Sequence, residues 1–162
     1  MHSELNLSSE PSPQHLATWR VFIEYAWAVL DILDVEMQAE CGLTLRWYDV
    51  LVHLEDADHG LRMTEVANRI LSSKSGLTRV IDRMEDAGLV RRERPPEDRR
   101  AINVFITPAG LEAVRSARVV HHRSIREHFL DQLTQRDVAA LAKPLEKVRD
   151  HVRPLRPGRI SG

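Results

Sequence analysis

The sequence predicts a mainly α-helical chain interrupted once by a small β-hairpin. Apolar residues recur at steps of three and four along most of its 162 residues, while the period falls to two between Val90 and Ile106. Thr, Ser, Gly and Pro stand where each periodic stretch starts or stops.

Taking the elements in order, Leu16, Trp19, Ile23, Ala26, Trp27, Leu30, Leu33 and Met37 form a helical stripe that Gly42 ends. Thr44 then caps a second helix whose buried side is Leu45, Tyr48, Leu51, Val52 and Leu54, and the loop Asp56 to Gly60 closes it. A short third helix starts after Met63 with Thr64 as its N-cap and Val66, Ala67 and Ile70 turned inward. Ser72 and Ser73 break that pattern. The fourth helix opens with Ser73 as N-cap, carries Leu77, Val80, Ile81 and Met84 on one side, and closes at Gly88.

Beyond Gly88, Val90, Arg92 and Arg94 alternate with Arg91 and Glu93, a turn follows at Pro95 to Asp98, and Ile102, Val104 and Ile106 alternate in their turn. Thr107 before Pro108 starts a fifth helix with an apolar side of Leu111, Val114, Ile125 and Phe129. Thr134 with Asp137 starts a sixth, in which Val138, Leu141, Leu145, Val148 and Val152 make a seam suited to another helix.

Two short helices joined by a polar turn and followed at once by a two-stranded wing make a winged helix-turn-helix core. Residues 43–107 are expected to form that lobe, 14–42 and 108–153 a helical dimerisation region, and 1–13 and 154–162 flexible tails. Neither long terminal helix has enough core of its own to cover its stripe, so packing against a second copy, in a homodimer, is the economical solution.

The bulk numbers agree. The net charge is −1, yet residues 24–68 hold 2 Lys+Arg against 10 Asp+Glu, residues 69–100 hold 9 against 6, and residues 101–162 hold 11 against 6. An acidic first half followed by a basic stretch points to a polyanion meeting one face, since phosphate contact needs local positive charge and not a basic total. The single cysteine, Cys41, excludes an internal disulfide or a multi-thiolate zinc site and fits a reducing compartment. No signal for export and no apolar run of about 20 residues is present, so a cytoplasmic protein with no membrane partner is expected.

At 100° per residue, Ser75, Arg79 and Asp82 point away from the apolar side of the fourth helix, with Thr78 and Arg83 flanking. Arg79 can bind guanine edges in bidentate fashion, and Lys74, Ser75 and Thr78 can reach bases or phosphates. With Ser73 and Arg83 they form the expected recognition-helix set for double-stranded DNA. In the wing, Arg94, Asp98, Arg99 and Arg100 are the corresponding set. Prolines stiffen the turn, an Arg held on it can enter a narrow minor groove, and Asp98 makes sense there if it pairs with an Arg, in the first place Arg100.

These residues also carry a resemblance. Leu43 Thr44 Leu45, Trp47 to Leu51, Thr64 to Ala67, Ser73 to Arg79, Asp82 to Glu85, Ala87 to Val90, and above all Asp98 Arg99 Arg100 with Val104, Ile106, Thr107 and Gly110 resemble the MarR family of bacterial regulators. The resemblance implies a winged-helix dimer joined through its terminal helices on a pseudopalindromic operator, with Arg100 or Arg99 in the minor groove. It also implies release of DNA by a small phenolic or other anionic effector, and hence a repressor.

Trp19, Trp27, Trp47 and Tyr48 are the best lining for such an effector pocket, although plain core packing explains each singly. No cofactor is expected. His121, His122 and His128 lack the spacing and carboxylate partners of a metal site. Cys41, beside Glu40 at a helix end, sits where the dipole and the acid oppose thiolate formation. No nucleophile with a base, carboxylate pair or glycine-rich phosphate loop is present, so no catalytic residue and no enzyme is expected. The alternatives are a winged-helix dimer that binds a protein partner and never meets DNA, and a redox- or metal-responsive regulator.

Overall fold

Helix α1 runs from Pro13 to Cys41 and ends at Gly42, whose φ of +69° is a backbone state that a side chain would strain. The computed structural model describes residues 10–70, 76–95, 98 and 101–153. The chain divides into two units between Ile32 and Leu33, a boundary that falls within α1. In the first unit, Leu16, Trp19, Phe22, Trp27 and Leu30 are all exposed, and the rings of Trp19 and Phe22 lie 6.0 Å apart.

The second unit holds the core. Helix α2 (Leu45–Glu55) is capped twice, because Thr44 Oγ1 accepts from the Trp47 N–H at 3.1 Å and Asp34 Oδ1 accepts from the Leu45 N–H at 2.6 Å. Its Val50, Leu51 and Leu54 are buried with Met37 of α1. After a turn at Gly60 comes a strand too short for alternation to reveal, β1 (Leu61–Arg62), and then α3 (Met63–Arg69). The N-cap of α3 is therefore Arg62 and not Thr64. The Arg62 N–H donates to Glu65 Oε2 at 2.8 Å, and the Met63 N–H is taken by the Ile102 carbonyl at 3.2 Å, so the helix starts where the strand ends. Val66 and Ile70 point into the core, as the sequence leads one to expect.

Helix α4 (Leu77–Asp86) buries Leu77, Ile81 and Met84. Gly76, at φ +72°, occupies its N-cap position in place of Ser73; Ser73, Lys74 and Ser75 lie outside the described residues. At the other end, the Gly88 N–H donates to the Glu85 carbonyl at 2.8 Å and the Leu89 N–H to the Met84 carbonyl at 2.9 Å, which stops the helix and turns the chain into a strand.

Strands β2 (Val90–Glu93) and β3 (Asn103–Ile106) form the expected hairpin, to which β1 adds a third antiparallel strand in the order β1-β3-β2. Leu61 pairs with Val104 and Val90 with Ile106, and Leu61, Val90 and Val104 carry the inner face of the sheet to the core.

Thr107 joins the sheet to helix α5 (Pro108–His128). Its Oγ1 accepts from the Gly110 N–H at 3.0 Å and donates to the Gly88 carbonyl at 2.6 Å, so one hydroxyl caps α5 and ties it to the end of α4. Thr107→Val, which keeps the shape and removes both bonds, is expected to lower stability by about 1–2 kcal/mol in urea unfolding. A loss below about 0.3 kcal/mol would show that water replaces the hydroxyl without cost.

The buried strip of α5 is Gly110, Val114, Ala117, Val120 and Ser124, residues smaller than the expected Leu111, Ile125 and Phe129, which are only half-buried. Small side chains let α5 lie close on α2. Helix α6 (Gln135–Val152) opens with the expected box, in which Thr134 Oγ1 accepts from the Asp137 N–H at 3.2 Å and Asp137 Oδ2 accepts from the Thr134 N–H at 3.0 Å. Its seam of Val138, Leu141, Leu145, Val148 and Val152 is exposed throughout.

Candidate nucleic-acid interface

The candidate recognition helix is α4, held from below by Leu77, Ile81 and Met84, so that Thr78, Arg79, Asp82 and Arg83 stand exposed on the other side. Among the described residues, neither Arg79 nor Arg83 has an ion-pair or hydrogen-bond partner for its guanidinium, so both are available to an outside acceptor. Asp82 is otherwise engaged. It and Glu85 both bind Arg92 of β2, with Nη2 to Asp82 Oδ1 and Nη1 to Glu85 Oε2 each at 2.7 Å. Burial works against the charge of Arg92, but the hydrogen bonds and charges of Asp82 and Glu85 outweigh it and hold its pKa above the usual arginine value. Arg92 thereby offsets part of the negative charge that Asp82 and Glu85 place on α4 beside Arg79 and Arg83.

Arg92 was not among the expected site residues. The signal was present all the same: the alternation that turns Val90 inward also turns Arg92 inward, and a charge on the inner face of a strand needs a partner.

In the wing, Arg94 follows β2 and is exposed, while Asp98 is half-buried; Arg99 and Arg100 lie outside the described residues. The expected pairing of Asp98 with Arg100 falls partly on those residues. What the structure gives is a pairing with Arg62, whose Nη1 is 3.8 Å from Asp98 Oδ2 and which ties β1 to the loop between β2 and β3. Because both side chains are substantially exposed, this bridge orients more than it stabilises. On the outer face of the hairpin Arg91 lies 4.5 Å from the centre of the Phe105 ring and also pairs with Glu93.

The four aromatic residues expected at an effector pocket fall in different units. Trp19 and Trp27 belong to the first, where they are 59% and 71% exposed. In the second unit Trp47 is half-buried and Tyr48 buried, the latter with its ring centre 4.5 Å from that of His121 on α5. Burial pushes the Tyr48 phenol above its usual pKa, and burial with the neighbouring charge of His122 pushes the His121 imidazole below its own. Around them, α5 is fastened to α2 by Arg118 with Glu55, and to the end of α1 by Arg123 with Glu40 and by His128 Nε2 with Glu36 Oε1 at 2.9 Å.

Cys41 is half-buried, and its thiol faces the Met37 carbonyl at 3.0 Å. Among the described residues no group of His, Cys, Asp and Glu could hold a metal ion, and no helix is long and apolar enough to cross a membrane.

Comparison with known proteins bears on this geometry. The model of the MarR family matches residues 42–101, the stretch from the end of α1 to the loop of the wing just before β3. The crystal structure of AbsC, a MarR family transcriptional regulator from Streptomyces coelicolor, is similar at 34% identity and a TM-score of 0.81, over 91% of this chain and 99% of that one. Sco3205, a second such regulator from the same organism crystallised in complex with DNA, is similar at 28% identity and a TM-score of 0.82, over 95% and 96%. The transcriptional regulator HosA of Escherichia coli O111:H- is 34% identical over 92 residues, which are 57% of this chain and 67% of HosA.

Proposed function

This chain belongs to the MarR family of transcriptional regulators, and on that premise we propose that it acts as a homodimer on a pseudopalindromic operator, as a cytoplasmic repressor released by a small phenolic or other anionic effector. Regulation then comes from binding, without a catalysed reaction. In each protomer α4 enters a major groove through Thr78, Arg79 and Arg83, preceded by Ser73, Lys74 and Ser75, while Arg94 and the Arg99 and Arg100 pair bring the wing to the flanking minor groove. Residues 43–107 form this lobe. Two lobes related by a two-fold axis meet successive major grooves about one helical turn apart.

The observation that carries the reading is that Arg79 and Arg83 are exposed and, among the described residues, unpaired, on a helix whose Asp82 and Glu85 are occupied by Arg92. The Sco3205 complex with DNA supports it. Dimerisation through 14–42 and 108–153 is supported by the exposed apolar side chains of α1 and by the α6 seam, which water does not favour leaving open. The effector reading is supported by the packing of the Tyr48 ring of α2 against His121 of α5. An effector that favours one angle between the two lobes by a few kcal/mol suffices to shift the population off DNA.

Selection of bound duplexes from random DNA, followed by titration of the best one at rising salt, tests the reading. With roughly 6–10 phosphate contacts per dimer, affinity is expected to fall about 10³-fold or more between 50 and 200 mM salt. A protein that enriches no duplex, and instead holds a protein partner with little dependence on salt, would have to be read as an interaction module.

A further inference from the structure

We propose that Arg92 is a positioning residue that locks the wing against the recognition helix, so that contacts from α4 and from the wing are made in one fixed geometry; this rests on the DNA-binding reading above. Arg92 sits on the inner face of β2 with Val90, and its side chain is 21% exposed. It is bound at four points. Its Nη1 donates to Glu85 Oε2 at 2.7 Å, its Nη2 donates to Asp82 Oδ1 at 2.7 Å and to the Thr78 carbonyl at 3.3 Å, and its backbone N–H donates to Glu85 Oε1 at 2.9 Å.

These acceptors lie at positions 78, 82 and 85 and span about two turns of α4, so they fix both the sliding and the tilt of the strand along the helix. The chain between the two elements is only Ala87 to Leu89, and it forms the C-terminal turn of the helix. A planar guanidinium can hold two carboxylates and a carbonyl at once, whereas an ammonium is a point charge without that directional fork. With its donors turned onto α4, Arg92 acts through the wing and not on the duplex.

The clamp couples Arg94, which leaves the strand two residues later, to Arg79 on the helix. Geometry and charge are separable here. In Asp82→Asn with Glu85→Gln, the helix loses two negative charges and the clamp is weakened, both residues being half-exposed or nearly so and tolerant of the change. If Arg92 only neutralises charge, this variant binds DNA more tightly than the wild type. If it positions the wing, the variant gains nothing and becomes insensitive to Arg94.

The experiment measures affinity for one selected duplex by fluorescence anisotropy in the wild type, Arg92→Met, Arg92→Lys and the Asp82→Asn/Glu85→Gln variant, each with and without Arg94→Ala and Arg79→Ala. In the wild type Arg94→Ala is expected to weaken binding about fivefold to tenfold. In each clamp variant that factor falls below about twofold while the Arg79→Ala factor is retained, and Arg92→Lys does not rescue. A loss of folding would erase both factors together, so circular dichroism need not decide the outcome. An Arg94→Ala factor unchanged in the clamp variants, or tighter binding by Asp82→Asn/Glu85→Gln, overturns this inference alone. A wild type that retains no duplex overturns the DNA-binding reading and this inference with it.

Discussion

Arg79→Ala is expected to cost the dimer about 2–6 kcal/mol of operator affinity, because a bidentate contact to a guanine edge discriminates by about 1–3 kcal/mol and two-fold symmetry loses it twice. Arg79 is suited to that contact for structural reasons. It stands on the outer side of α4, opposite Ile81 and Met84, and among the described residues nothing competes for its guanidinium. The helix that carries it is fixed at one end by the turn at Gly88 and along its flank by Arg92, so little order remains to be imposed on binding. Anisotropy against the selected duplex and against duplexes changed at one base per half-site measures both affinity and preference. The expected result is a preference that relaxes at a single position. A uniform loss across sequences, with a salt slope reduced by about one per protomer, would make Arg79 a phosphate contact. Adding Arg100→Ala is expected to abolish specific binding altogether.

Gly110→Ala carries the second large effect, on the fold. Gly110 is buried in the first turn of α5, and a methyl group there would overlap the Leu89 carbonyl and come within 2.8 Å of the Ile106 side chain. The carbonyl cannot yield freely, since it accepts the Thr107 N–H at 3.1 Å, and Thr107 in turn holds Gly88 and caps α5. Relief therefore means moving α5 away from the wing or breaking the junction. A destabilisation of about 3 kcal/mol is expected in urea unfolding, at the upper end of what overpacking costs. A change below about 1 kcal/mol would mean that the junction is softer than its hydrogen bonds indicate.

The helices were legible because burial imposes a period on them and because each has a start or stop with its own chemistry. Thr44, Gly88, Thr107 before Pro108, and the Thr134 and Asp137 box all act as their types dictate. The third strand was not legible, since two residues cannot show alternation and β1 exists only because β3 offers it an edge. That edge also displaced the start of α3: Thr64 is the more usual cap, but the pairing of Leu61 and Arg62 with β3 brings the chain into the helix two residues earlier. The exposed side of α4, with Arg79 and Arg83 on it, was legible by rotating the helix, a local operation. Arg92 and the pairing of Arg62 with Asp98 were missed because their partners lie on other elements, and only the tertiary fold brings them together. The inward place of Arg92 in an alternating strand was the one trace left in the chain itself.

Methylation interference on a selected duplex tests the central claim most directly, because methyl groups at guanine N7 block the major groove alone. Two clusters of interfering guanines centred about one helical turn apart are predicted, with the interference at one guanine of each cluster lost in Arg79→Ala. A single cluster, interference that Arg79→Ala leaves unchanged, or a protein that retains no duplex even at low salt would contradict the picture of two α4 helices reading the grooves of DNA.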